Sequence, residues 1–341
     1  MTDSALNAFA LGWATTSAAG ATLDVWFPMP QRVSDAAAAA LRETLPVGSS
    51  TITPAQAGTL LERLDAVAPE GRDAAAAQRA LLEHDRPLIA CWLPTDAPIE
   101  DTACAYLKLH LLSHRLCLPN SLDLANNFSH LPNLAWTNEG PVALTELTAR
   151  QLAARAAGRI LDVHAVDKFP KLTNYLHPSG VRIADSARVR LGAYLGEGST
   201  VMHEGFVNFN AGALGPNMLE GRVSQGVVVG AHTDLGGSSS TMGTLSGGGD
   251  IRITIGEHCL IGANAGTGIP LGDRCTIEAG LYITAATPVT FMGADGERLL
   301  KARELAGASD LLFLRNGHTG RVEVRPNGNA ITLNEALHAH N

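Results

Sequence analysis

The 341-residue sequence predicts a mainly β chain in two parts, an α/β N-terminal domain and a solenoid wound from six-residue units. Three observations predict it. Aliphatic residues recur at a strict spacing of six from Ile183, small residues recur four places after them, and most of the 35 glycines lie after Val181 while alanine and leucine dominate before Arg159. A helix has no use for a period of six, so the second half cannot continue the pattern of the first.

In the first half, β-like runs at Leu23–Val25–Phe27 and Leu88–Trp92 alternate with helical ones at Asp35–Leu45, Pro54–Val67 and Arg72–His84, the mixture of a small α/β domain. Amphipathic segments at Glu100–Arg115 and Val142–Ala157 follow, the second ending near Gly158, and read as a helical connection. The expected boundaries are 1–110 for the α/β domain, 111–180 for the helical connection, 181–290 for the solenoid and 291–341 for a short C-terminal β extension.

The hexads are Ile183, Val189, Leu195, Val201, Val207 and Ala213, then Val223, Val229, Leu235 and Thr241, then Ile255 and Ile261, then Leu271, Ile277, Ile283 and Val289. Four places on stand Ala187, Ala193, Ser199, Gly205 and Ala211, then Thr233 and Ser239, then Cys259, Ala265 and Cys275; Leu281 breaks the rule. One aliphatic and one small inward residue per six, often with glycine just after the aliphatic (Gly196, Gly230, Gly262), is the pattern of a left-handed parallel β-helix. Three hexads close one triangular coil, and coils stack at about 4.8 Å. A β-sandwich would alternate with period two and irregular spacing. The repeat slips at Leu214–Arg222, Met242–Thr254 and Gly266–Pro270, and each slip is expected to be an insertion expelled as a loop.

Composition limits the function. A net charge of −8 with no basic stripe argues against nucleic acid as a partner. No uninterrupted apolar run approaches the roughly 18 residues of a membrane span, and the early N-terminal residues are acidic rather than basic, so a cytoplasmic protein without membrane contact is expected. Five cysteines, an odd number with no C-x-x-C pair, suggest buried thiols rather than disulfides or a zinc knuckle.

Hexapeptide-repeat chains resemble one another in being mostly trimeric acyltransferases that hold coenzyme A between neighbouring prisms. The carbonic anhydrases among them need three convergent histidines, and His203, His232 and His258 lack the H-x₄-H spacing for that. His203 and His232 remain second-choice bases.

The runs Val201–Ala211, Met218–Ser224, Met242–Gly249 and Glu278–Thr284, extended by Lys301–Leu305 and Leu333–His338, resemble the tetrahydrodipicolinate N-succinyltransferases of the actinobacterial and pseudomonad type. That resemblance implies succinyl transfer from succinyl-CoA to the amino group of ring-opened tetrahydrodipicolinate, giving N-succinyl-2-amino-6-oxopimelate and CoA in the diaminopimelate route to lysine. It implies Glu220 as the catalytic residue, either general base or a nucleophile forming an acyl anhydride, with the base favoured because an amine and a thioester held together need no covalent detour. By the same resemblance Arg222 grips the succinyl carboxylate, Gly237 and Ser240 offer donors near the thioester, Ala263, Glu278, Ala279 and Ala286 line the pantetheine, and Lys301 and Arg315 meet the nucleotide.

Glu204 matches an acidic residue that in relatives faces a trimer axis and helps to bind Mg2+, although the accompanying aspartate falls at Ala187. Ser246–Gly249 lacks the Gly-Lys-Ser/Thr of a P-loop and reads as a flap over the site. Two other readings stay open: a CoA-dependent N-acyltransferase with an acetyl donor, whose acyl pocket would need no cation, and a non-catalytic trimeric scaffold.

Overall fold

The computed structural model describes residues 5–67, 78–84, 87–246, 251–294 and 296–327. The chain divides into two compact units, one made mainly of residues up to 176 and one from His177 onward, with Leu118–Asn120 and Lys171–Thr173 counted in the second.

The first unit is built on Ala5–Thr16, a 12-residue strand paired antiparallel with Thr22–Trp26, Gln31–Arg32 and Leu88–Thr95, while Gly48–Ile52 pairs with the far side of Leu88–Thr95. This central strand was not foreseen. Its middle residues are buried on both faces, so it lacks the alternation that marks a half-exposed strand. Helices Asp35–Thr44 and Pro54–Val67 follow the expected segments and pack Leu41, Leu60 and Leu61 against Phe9, Leu11 and Trp92. Ser34 caps the first by accepting the Ala37 N–H at 3.3 Å. Residues 72–77 of the expected helix Arg72–His84 lie outside the described residues, and its end is a 3₁₀ turn, Leu81–Glu83.

The expected helix Glu100–Arg115 forms, and only its amphipathic character is corrected. The observed helix Thr102–Ser113 is buried from Ala103 through Ser113, polar residues included. Lys108 survives there because its ammonium donates to Asp96 Oδ1 at 2.6 Å, Ala97 O at 2.7 Å and Asp123 O at 2.6 Å, which uses all three protons. Segment 111–180 is likewise not simply helical. Leu134–Thr137, Gly140–Ala143 and Val163–Asp167 form a three-stranded antiparallel sheet beside helix Leu144–Ala156.

The second unit is the left-handed parallel β-helix that the hexads predict. Its first face stacks Arg182–Ile183, Ser199–Val201, Asn217–Leu219, Thr233–Leu235, Leu260–Ile261 and Thr276–Ile277. The second stacks Tyr194–Leu195, Gly212–Ala213, Val228–Val229 and Thr254–Ile255. The third stacks Phe206–Val207, Arg222–Val223, Ser240–Thr241, Gly266–Thr267 and Tyr282–Ile283. The predicted aliphatics fill the prism, from Val189 to Val289, and Leu281 is buried with them despite its size.

Register explains the slips and corrects two of them. Leu219 and Val223, the inward residues on either side of one corner, are four positions apart instead of six, as are Thr267 and Leu271. These are two-residue deletions, not insertions. Only Met242–Thr254 is an insertion, and it leaves the coil as a hairpin closed by Leu245 N–H donating to Ile251 O at 2.8 Å. The tip of the expected flap, residues 247–250, and the run Leu333–His338 lie outside the described residues.

After the last coil, Pro288–Gly293 and Gly296–Lys301 form an antiparallel pair. Leu311–Arg315 returns to the first face beside Thr276–Ile277 and is covered by Val322–Pro326, which gives the expected β extension. All five cysteines are free and buried.

Candidate functional site

The corner between the first and third faces collects most of the candidate residues. Backbone bonds stack its turns in order: Glu220 N–H donates to Leu235 O at 2.8 Å, Gly236 N–H to Ile261 O at 2.7 Å, Gly262 N–H to Ile277 O at 2.9 Å, and Glu278 N–H to Phe313 O at 2.9 Å. Glu204, Glu220, Gly237, Ala263, Glu278 and Ala279 therefore share one edge of the prism.

Glu220 does not sit in an expelled loop. It is the first residue of a two-residue corner, Glu220–Gly221, between Asn217–Leu219 and Arg222–Val223. The corner closes this tightly only because Gly221 has no side chain, since a Cβ there would stand 2.1 Å from Ser239 Oγ. The result is a half-buried carboxylate on a rigid backbone, flanked by coils above and below.

Gly237 marks where two carboxylates approach each other. The point a Cβ would occupy on it lies 3.5 Å from Glu204 Oε2 and 3.6 Å from Glu220 Oε2. Ser238 ties this group together: its N–H donates to Glu220 O at 3.1 Å and its hydroxyl to Glu204 Oε2 at 2.6 Å, with φ of 57°. Sequence reading missed Ser238, because nothing in the run Ser238–Ser240 tells which hydroxyl meets a carboxylate.

On the adjoining third face Arg222 stands in register with Ser240, and its Nη2 donates to Ser240 Oγ at 2.6 Å. Arg222 is exposed and, among the described residues, no carboxylate pairs with it. A guanidinium steadied by a hydroxyl and otherwise unpaired is suited to an incoming anion.

Farther along, Glu278 is committed to the scaffold, its Oε2 accepting the Arg315 N–H at 2.7 Å. The Arg315 guanidinium donates to Gly320 O at 3.0 Å. Ala286 is exposed just beyond the last third-face strand, and Lys301 lies at the end of the strand whose partner begins at Pro288. These four lie toward the C-terminal end of the stack, away from Glu204.

His203 lies beside Glu204 on this same edge, between Ser199–Val201 and Phe206–Val207, while the other two histidines of the repeat fall elsewhere. His232 and His258 sit on neighbouring coils at the edge between the second and first faces, their rings stacked at 4.9 Å and 10°. Their planes are parallel rather than convergent on one point. Among the described residues no three His, Cys, Asp or Glu side chains converge as a metal cluster. The expected Mg2+ ligand Glu204 is instead the acceptor of Ser238, with the alanine at position 187 offering no second carboxylate. Within one chain these residues do not make a site for the ion. No described helix is long and apolar enough to cross a membrane.

Comparison with known proteins gives consistent matches. The family described as tetrahydrodipicolinate N-succinyltransferase middle matches residues 131–171, and that described as hexapeptide repeat of succinyl-transferase matches residues 252–285. A 2,3,4,5-tetrahydropyridine-2,6-dicarboxylate N-succinyltransferase of Pseudomonas putida is 55% identical, covering 98% of this chain and 99% of its own. Proteins of the same name from Pseudomonas aeruginosa and Vibrio cholerae are 55% and 50% identical, each over 98% of this chain and 99% of their own. A crystal structure of a putative 2,3,4,5-tetrahydropyridine-2-carboxylate N-succinyltransferase from Campylobacter jejuni superposes with a TM-score of 0.84 at 28% identity, covering 96% of this chain and 94% of that one.

Proposed function

The chain belongs to the 2,3,4,5-tetrahydropyridine-2,6-dicarboxylate N-succinyltransferase family, and from that premise we propose how its residues divide the work. The reaction moves the succinyl group of succinyl-CoA to the amino group of ring-opened tetrahydrodipicolinate, releasing CoA and N-succinyl-2-amino-6-oxopimelate on the way to diaminopimelate and lysine.

The acceptor nitrogen arrives as an ammonium and must lose a proton before its lone pair can attack the thioester carbonyl. Glu220 takes that proton. The nitrogen–carbon bond forms, the carbonyl electrons move to oxygen and the nitrogen gives its second proton to solvent; collapse of the tetrahedral intermediate then breaks the carbon–sulfur bond, and Glu220 returns its proton to the departing thiolate, releasing CoA as the thiol. The Gly237 N–H is the donor toward the transient oxyanion, since the N–H groups of Gly236, Ser238, Ser239 and Ser240 are already bonded to backbone carbonyls. Arg222, with Ser240 behind it, binds the distal carboxylate of the succinyl group. Ala263, Ala279 and Ala286 leave room for the pantetheine arm, Glu278 holds the Arg315 strand in place, and the cations of Lys301 and Arg315 suit the nucleotide phosphates.

The observation that carries this reading is the placement of Glu220 and Arg222 two residues apart across one tight corner, one carboxylate and one unpaired guanidinium on a rigid backbone. The active form is a homotrimer in the cytoplasm with CoA between neighbouring chains, as expected of a hexapeptide-repeat transferase; sedimentation velocity distinguishes it from a monomer. A Mg2+ ion on a threefold axis would draw one Glu204 from each chain, and no step of the reaction is assigned to it.

The test is release of thiol from succinyl-CoA and from acetyl-CoA with L-2-aminopimelate as a stable amine acceptor. Succinyl-CoA is expected to react far faster. A preference for acetyl-CoA would overturn the donor reading, and no reaction with either would favour the scaffold.

A further inference from the structure

Arg222, Ser240, Gly266 and Tyr282 occupy one register position on four successive coils of the third face. Their inward neighbours Val223, Thr241, Thr267 and Ile283 are buried, so these four positions face outward. The glycine is the informative member. A Cβ on Gly266 would stand 2.4 Å from Tyr282 Cε2 and 2.7 Å from its Cδ2, so the tyrosine ring lies across the gap that the missing side chain leaves. That path carries its hydroxyl past a whole coil to within 3.4 Å of Ser240 Oγ, the same oxygen that accepts from Arg222 Nη2 at 2.6 Å.

We propose that Tyr282 is a specificity-determining residue for the acyl donor: laid over Gly266, it fixes the Ser240 hydroxyl, and through it the Arg222 fork, in position to read a terminal carboxylate. The proposal rests on the reading that Arg222 binds the succinyl carboxylate. The chemistry is that of a row of donors with no acid of its own. Ser240 Oγ accepts from the guanidinium, and of the two hydroxyl protons of Ser240 and Tyr282 one closes the 3.4 Å contact between them and the other is left to donate outward. Two hydroxyls and a guanidinium in line match a carboxylate and have no use for a methyl group. The parallel strands hold the spacing between them, so the row is preformed rather than assembled by the ligand.

The test compares the affinity of succinyl-CoA with that of CoA itself by calorimetry, on wild type, Tyr282→Phe, Gly266→Ala and Arg222→Ala. CoA carries every contact except those to the acyl group, so the ratio of the two constants reports the succinyl group, whose carboxylate is its one charged part. The expected result is a loss of about tenfold in that ratio for Tyr282→Phe, the effect of one charge-assisted hydrogen bond. A loss at least as large is expected for Gly266→Ala, whose Cβ displaces the ring and also presses on Ser240 O at 2.7 Å, and for Arg222→Ala a larger loss than for Tyr282→Phe. If Arg222→Ala lowers the ratio and Tyr282→Phe leaves it unchanged, the role of Tyr282 is overturned while the reading of Arg222 stands. If Arg222→Ala also leaves it unchanged, the donor-site reading fails and takes this inference with it. Equal weakening of both ligands by Tyr282→Phe would make the tyrosine structural and likewise overturn its role.

Discussion

Gly221 lies against Ser239 so closely that a methyl group on its Cα would stand 2.1 Å from the serine hydroxyl and 2.6 Å from its carbonyl oxygen. The contact is the physical reason that the chain can turn the corner in two residues and present Glu220 at a fixed height between coils. Gly221→Ala is expected to lower stability by about 1–3 kcal/mol, the usual cost of forcing a group into a packed interior. Thermal denaturation checks this, and an unchanged midpoint would mean that the corner is more pliable than its contacts require.

Gly237→Ala makes the opposite test. The added methyl would sit at ordinary contact distances, 3.5 Å from Glu204 Oε2 and 3.6 Å from Glu220 Oε2. Stability should change by less than about 0.5 kcal/mol, as for surface positions without strain. Turnover should nevertheless drop at least tenfold, because the methyl occupies the space where the acceptor amine would approach the carboxylate. A full-rate variant would show that the reacting groups do not meet there.

Acid sensitivity is expected in the first unit. His110 is neutral and fully engaged: Nδ1–H donates to Tyr106 O at 2.7 Å, and Nε2 accepts the Phe27 N–H at 3.4 Å. Burial pulls its pKa down to about 3, and burial also pulls that of His114 down to about 4. Below pH 6.5 the unfolded chain takes up protons that the folded chain refuses, so stability present at neutral pH is lost as the pH falls toward these values. Between pH 6.5 and 5 the loss is about 2 kcal/mol for each group. Asp24, whose carboxyl burial pushes up, works in the other direction as pH changes. The comparison with His110→Gln therefore isolates the histidine. Urea denaturation at pH 7.5 and 5.0 should show a smaller pH effect in the variant, and equal effects would contradict the assignment.

The β-helix was legible because its inward positions obey a rule that tolerates few exceptions, and the aliphatics of every hexad after the first, half-buried Ile183, are buried. The sign of a slip was not legible. A repeat that resumes out of phase looks alike whether residues were added or removed, and only the pairing of Leu219 with Leu235 and of Val223 with its neighbours on the third face shows that Glu220 lies in a shortened corner. In the first unit, the strand Ala5–Thr16 escaped pattern reading because its buried middle shows no alternation, and Lys108 imitated a solvent-facing residue, so that the helix Thr102–Ser113 was expected but read as amphipathic. Tyr282 escaped notice for a related reason. Its partner across the coils is a glycine, and the significance of Gly266 appears only when the ring is seen lying over it.

The central claim is that Glu220 accepts the proton of the attacking amine, and the most direct measurement is the rate of thiol release from succinyl-CoA with L-2-aminopimelate for wild type and Glu220→Gln. Glutamine keeps the size of the side chain and removes its basicity. The account predicts a fall in kcat of about a hundredfold or more, as expected for loss of a positioned general base, with the melting temperature preserved. A folded Glu220→Gln protein that turns over within a fewfold of wild type would contradict it.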